Sequence, residues 1–142
     1  FHMAVLPVDA DSLRAAAREF GVPEVVLMAV AIVESGRSGG NHWRGPGQRH
    51  KGVPPHCQEI GRMQLSPCED WRWLTPWCDR DRVRDSYSAN IRCGAARLAY
   101  YRIHEGSWRA AVRRYNGSGP AADRYVTKVE RVIGELVLAS EP

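Results

Sequence analysis

Nothing in the 142 residues is long and apolar enough to cross a bilayer. The longest apolar stretch, Val22–Val33, is about a dozen residues, whereas a spanning helix needs ~20. No membrane span is therefore expected. No signal peptide is visible either, and Phe1-His2-Met3 reads as a cloning scar, leaving residues 4–142 for the fold. Internal repeats, low-complexity tracts and linkers are also missing, which argues against a solenoid or a string of modules. A chain of this length suits one domain with a single core. Among the four cysteines, Cys57, Cys68, Cys78 and Cys93, there is no C-x-x-C pair. That spacing does not read as a zinc ribbon or a thiol redox motif.

An even cysteine count in a small basic chain suggests two disulfides and an oxidising compartment, periplasmic or extracellular. Three pairings are open. The competing readings are a metal site built on His50, His56 and Cys57, or four free thiols. The net charge of +4 points to an anionic partner such as a cell-wall polymer, a membrane surface or nucleic acid. The arginines are interleaved with acids, as in "DRDRVRD", which describes a solvated face and disfavours nucleic acid.

The periodicity is helical nearly throughout. "VDADSLRAAAREFG" has Asp9 as N-cap, Val8 and Leu13 at hydrophobic-staple spacing, an apolar stripe of Leu13, Ala16, Ala17 and Phe20, and Gly21 as its stop. A second helix follows from Pro23 to about Glu34. Residues 36–56, rich in Gly and Pro, read as an irregular insert or a small β-excursion. "SPCEDWRWL" has a capping box, Ser66 with Glu69, and predicts a short helix. Further helices are expected over about 86–105, over Ser107–Tyr115, and over roughly 121–138. The fold class is thus mainly α, with an irregular or small β insert.

Glu34 ends the most apolar of these helices. Leu27, Val30 and Ala31 share its face, and a carboxyl set against them loses hydration, so its pKa rises. A proton held near neutral pH is what a general acid requires. "GRMQLSP" places Met63, a pliable apolar contact, and Gln64, a two-way hydrogen-bonding amide, ahead of the expected capped helix. "AVRRYNGSGP" places Tyr115 and Asn116 at a helix end beside a turn.

In this order, "VVLMAVAIVESG", "GRMQLSP", "NIRCGAARLAYY", "AVRRYNGSGP" and "RYVTKV" resemble the motifs of the soluble-type bacterial lytic transglycosylases of the goose-type lysozyme superfamily. That resemblance spans about residues 10–138. It implies a lysozyme-like fold and cleavage of the β-1,4 bond between N-acetylmuramic acid and N-acetylglucosamine in peptidoglycan. It implies Glu34 as catalytic acid/base, with Ser35, Met63, Gln64, Tyr115, Asn116 and Tyr125 binding or positioning substrate. The implied partner is the glycan strand, with no cofactor and no metal. A monomer is expected, and a wall-crossing assembly is one setting such an enzyme would suit. Four departures stand out: a long Glu34–Gly61 interval, Arg62 in place of an apolar residue, Ser66 in place of an often large apolar residue, and Arg114 before Tyr115, where Ala is typical. They bear on the substrate subsites.

Two alternatives follow from the same residues. A lysozyme-like hydrolase would need a second carboxylate to activate water, with Glu59, Glu69 and Asp70 as candidates. A non-catalytic glycan-binding module would keep the groove and dispense with the acid. Of the five tryptophans, Trp71, Trp73 and Trp77 are expected to pack as a satellite cluster, and Trp43 or Trp77 is a candidate for stacking on sugar.

Overall fold

The computed structural model of the chain describes residues 6–37 and 50–140. It is mainly helical. Among the described residues the six α-helices are α1 (Ala10–Phe20), α2 (Glu24–Ser35), α3 (Arg80–Asp85), α4 (Tyr87–Glu105), α5 (Trp108–Asn116) and α6 (Gly119–Ser140). Short 3-10 turns at Pro55–Cys57 and Pro76–Cys78 interrupt the irregular residues 50–79. Among the described residues the only β pairing is an isolated bridge between Ile60 and Leu65. No helix of the described residues is long and apolar enough to cross a membrane.

The packing forms a ring. Helix α1 meets α2, α2 meets α6, α6 meets α5, α5 meets α4, and α4 returns to α1. Helix α2 is apolar on all sides and buries every residue from Val26 to Ile32, as a helix enclosed by neighbours must. Helix termini follow local chemistry. Asp79, Ser86 and Ser107 each accept N–H bonds at the starts of α3, α4 and α5, and Gly21 closes α1 in the left-handed conformation.

Several expectations need correction. Asp9 stands at the start of α1 but makes no capping bond. Its carboxylate is taken by Arg62, through Nε at 2.8 Å and Nη2 at 3.1 Å, and by the Tyr87 hydroxyl. A two-pronged bond to a buried, oppositely charged guanidinium outweighs a single bond to a backbone N–H. Val8 is 84% exposed, so it forms no staple with Leu13. The Ser66–Leu74 segment is not a helix. Ser66 Oγ accepts from Cys68 N, while Glu69 is drawn away to Trp71 and Arg97, so the two halves of the capping box never meet. Helix α6 starts at Gly119, two residues earlier than expected.

The cysteines pair as Cys57–Cys68 and Cys78–Cys93. The first closes the stretch after the insert, and the second ties the end of the irregular region to α4. Two disulfides fit an oxidising compartment. The proposed metal set is thereby excluded as a thiolate site. The ligand-type atoms of His56, Cys57 and Cys68 lie within 4.8 Å of one another, but both sulfurs are spent on the disulfide.

Candidate active site

The "GRMQ" segment is a tight loop closed by the Ile60–Leu65 pair, whose two reciprocal N–H···O bonds measure 3.0 and 2.9 Å. Two residues of α4 seat it. Asn90 donates to Ile60 O and Val83 O and accepts from Met63 N at 2.8 Å. Gly94 lies under Met63: a Cβ there would fall 2.6 Å from Met63 Cγ. Gly61, at φ +83°, could carry no side chain, because a Cβ would overlap the Asn90 amide. The Asn and Gly of "NIRCG" are thus the socket for the loop that carries Gln64.

Beneath that loop, Arg62 is fully buried. Besides Asp9, it donates through Nη1 to Ala31 O at 2.9 Å, Ser35 Oγ at 2.6 Å and Gly36 O. Ser35 in turn donates to Arg62 O at 2.7 Å. The C-terminal end of α2 is therefore bolted to the loop and to the start of α1. A guanidinium also suits the unpaired carbonyls at a helix C-terminus.

Glu34 occupies the last turn of α2, partly buried and with some surface still open. Burial pushes its pKa up to about 7. The Tyr125 hydroxyl of α6 donates to its Oε2 at 2.8 Å and holds the rise back. Glu59 pushes in the same direction as burial, and Arg97 opposes it. Tyr115, on α5, donates to Met63 O at 2.6 Å, linking α5 to the loop. Burial, then the neighbouring Glu34 charge, pushes both tyrosines well above the ordinary phenol value, so each remains a hydrogen-bond donor.

The residues expected at the site divide into two groups. Glu34, Tyr115 and Tyr125 come together. Gln64, at φ +50°, folds back with its Nε2 donating to Gly61 O at 2.9 Å, and it is mostly buried. Met63 is fully buried and presents no side-chain surface to a ligand. The Ser35 hydroxyl is engaged by Arg62. Both therefore support the site from beneath. Asn116 is exposed at the end of α5. Trp43 lies outside the described residues, as does most of the insert.

The sequence reading missed one charge. Arg97 of α4 is buried between Trp71, 4.4 Å from its ring centroid, and Tyr115, 5.6 Å away, and it donates to Tyr101 at 3.0 Å. Burial opposes its charge, yet Tyr115, Tyr101 and Glu69 together hold its pKa above the ordinary value. Its signal in the sequence is a lone arginine on the stripe that Asn90 and Tyr101 share. Glu59, read from the sequence as a candidate second carboxylate, does act on the site. It is paired with His50 at 2.7 Å, and its charge acts on Glu34, Tyr115 and Tyr125 alike. Of the other candidate carboxylates, Glu69 is taken by Trp71 and Arg97, and Asp70 by Arg72.

A cleft of about 520 Å³, lined by His56, Glu69, Asp70, Arg72, Asp79 and Asp81 among others, contains none of Glu34, Tyr115 or Tyr125. That cleft is therefore not the pocket of the acid. Compared with protein-family models, curated proteins and solved structures, the chain finds no match.

Proposed function

We propose that this chain is a peptidoglycan lytic transglycosylase in which Glu34 is the single acid/base. The observation that carries the reading is a carboxyl whose pKa lies at about 7 while a tyrosine hydroxyl fixes its orientation. At pH 7 half of such groups hold a proton, whereas an unperturbed glutamate is protonated to roughly 0.3%. The ordered resemblance of five segments to that enzyme family supplies the reaction class, and a lysozyme-like fold belongs to the same proposal.

Protonated Glu34 donates to the oxygen that leaves the anomeric carbon of N-acetylmuramic acid, and the C1–O bond breaks. The neighbouring N-acetyl oxygen stabilises the charge at C1. Ionised Glu34 then takes the proton of the C6 hydroxyl, and that oxygen closes onto C1. The product is a 1,6-anhydro ring, and Glu34 regains its starting proton. Closure within one sugar is favoured because well-placed internal groups reach effective molarities of ~10⁵ M or more. Tyr125 steadies Glu34 in both protonation states, donating a bond that strengthens when the carboxyl ionises. Placement in the periplasm or outside the cell belongs to the same reading and accords with the two disulfides.

Glu59 favours a second reading on the same site. Its charge acts on Glu34, and its side chain is 39% exposed, so it could activate a water as a hydrolase requires. Mass spectrometry of digested peptidoglycan separates the two. Anhydro ends, abolished by Glu34→Gln and retained by Glu59→Gln, support the transglycosylase. Reducing ends lost in both variants support the hydrolase. Glycan binding without cleavage would leave only the binding module.

A further inference from the structure

Residues 69–77 lie between two disulfide cysteines, Cys68 and Cys78, each bonded to a distant part of the chain. Within that clamp, Trp71 and Trp73 stack with centroids 5.3 Å apart and planes at 29°. Tyr100 of α4 meets both edge-on, at 5.8 and 5.2 Å, and His104 lies 4.2 Å from Tyr100. Both indole N–H groups are already used, Trp71 on Glu69 Oε2 at 3.0 Å and Trp73 on Asp70 O at 3.1 Å. What Trp73 offers outward is ring surface, and it is 62% exposed. An indole held this firmly and left this open contrasts with Trp77, whose ring is covered by Arg92 at 4.5 Å and Arg82 at 5.8 Å.

We propose that Trp73, backed by Trp71 and Tyr100, is a stacking subsite for a pyranose ring of an amino-sugar strand. The inference rests on the glycan reading of the Glu34 site and extends it. A pyranose presents a patch of C–H groups to the electron-rich face of an aromatic ring, and its equatorial hydroxyls point sideways to polar groups. Such groups flank the ledge: Asp70 and Arg72, joined by a two-pronged ion pair, and His104. The ledge is joined to the Glu34 site through the protein interior. The Arg97 guanidinium touches the Trp71 ring on one side and faces the Tyr115 ring on the other, and Tyr115 feels the Glu34 charge. A subsite away from the cleaved bond would set how long a strand the enzyme grips.

Titration of the full chain with N-acetylglucosamine hexasaccharide, followed by calorimetry and tryptophan fluorescence, tests the proposal. In a Glu34→Gln background, which blocks turnover, Trp73→Ala is expected to weaken hexasaccharide binding roughly 3- to 10-fold. Trp73→Tyr, which keeps a flat ring, is expected to retain most of the affinity. Equal affinity in the Ala variant and its parent overturns the subsite, as does the absence of any hexasaccharide binding. So does a change of sedimentation coefficient on Trp73→Ala, because it would make the ledge a contact between copies. The Glu34 reading is tested separately by the products released from peptidoglycan, so it can survive the loss of the ledge.

Discussion

In the proposed reaction Glu34 couples chemistry to stability through one proton. Its pKa is ordinary in the unfolded chain and about 7 in the folded one, so between pH 4.5 and 7 the folded state holds more protons than the unfolded state. Stability therefore declines as pH rises across that window and levels off above pH 7. Allowing for the part of the side chain that water reaches, the loss is on the order of 2 kcal/mol. Glu34→Gln should lack this slope and unfold at higher urea than the unsubstituted chain at pH 8, with the difference vanishing near pH 4. Lysis should fall on the alkaline side of pH 7, where the acid is spent. Tyr125→Phe removes a bond that favours the ionised carboxyl, so the alkaline limb of the pH–rate profile should move upward while the maximal rate drops about tenfold or more. An unmoved limb would place that hydroxyl outside the titration of Glu34. Arg62 raises a different residue-scale question. Arg62→Met leaves the Asp9 carboxylate without its guanidinium and should cost ~3–5 kcal/mol in urea unfolding, and adding Asp9→Asn should recover part of that.

Two elements meet without clearance where the Gly61–Gln64 loop rests on α4. The helix presents Asn90 and Gly94 at i and i+4, one face of a helical turn. Asn90 satisfies three groups of its surroundings, and Gly94 makes room for Met63. Gly94→Ala improves helix propensity by ~1 kcal/mol, yet its methyl group would lie 2.6 Å from Met63 Cγ. Overpacking of this kind costs ~1–3 kcal/mol. The net expectation is a lower melting temperature in calorimetry and a larger loss of lytic rate than of stability, because the displaced loop also receives the Tyr115 hydroxyl. A gain in melting temperature would mean that Met63 yields.

For the whole molecule, the ring of helices leaves residues 50–79 with little regular structure of their own. Local anchors hold them. These include the Arg62–Asp9 pair, the buried amide of Gln58 bridging His50 and Val53, and the two disulfides. Cross-links of 11 and 15 residues each contribute roughly 2–4 kcal/mol, mainly by restricting the unfolded chain. Reductant should lower the melting temperature. Cys78→Ser with Cys93→Ser should reduce hexasaccharide binding more than Cys57→Ser with Cys68→Ser, since the former pair ties the aromatic segment to α4, the helix that carries Tyr100. Equal effects would show that the ledge keeps its shape without that tie.

The helices were legible because their information is local: apolar spacing and Gly21 as a stop act within a turn or two. Glu34 was legible as a carboxyl on an apolar face for the same reason. The mainly α class followed from these signals. What the chain order could not convey was partnership across distance. Asp9 reads as a cap until a buried guanidinium 53 residues away claims it. Ser66 and Glu69 read as a capping box until Arg97 and Trp71 draw the carboxylate off. Met63 reads as a ligand contact until Gly94 lets it sink into the core. In each case a local bond of modest strength loses to a charged or close-packed contact that exists only once the helices close their ring, and that competition is settled by the tertiary structure alone.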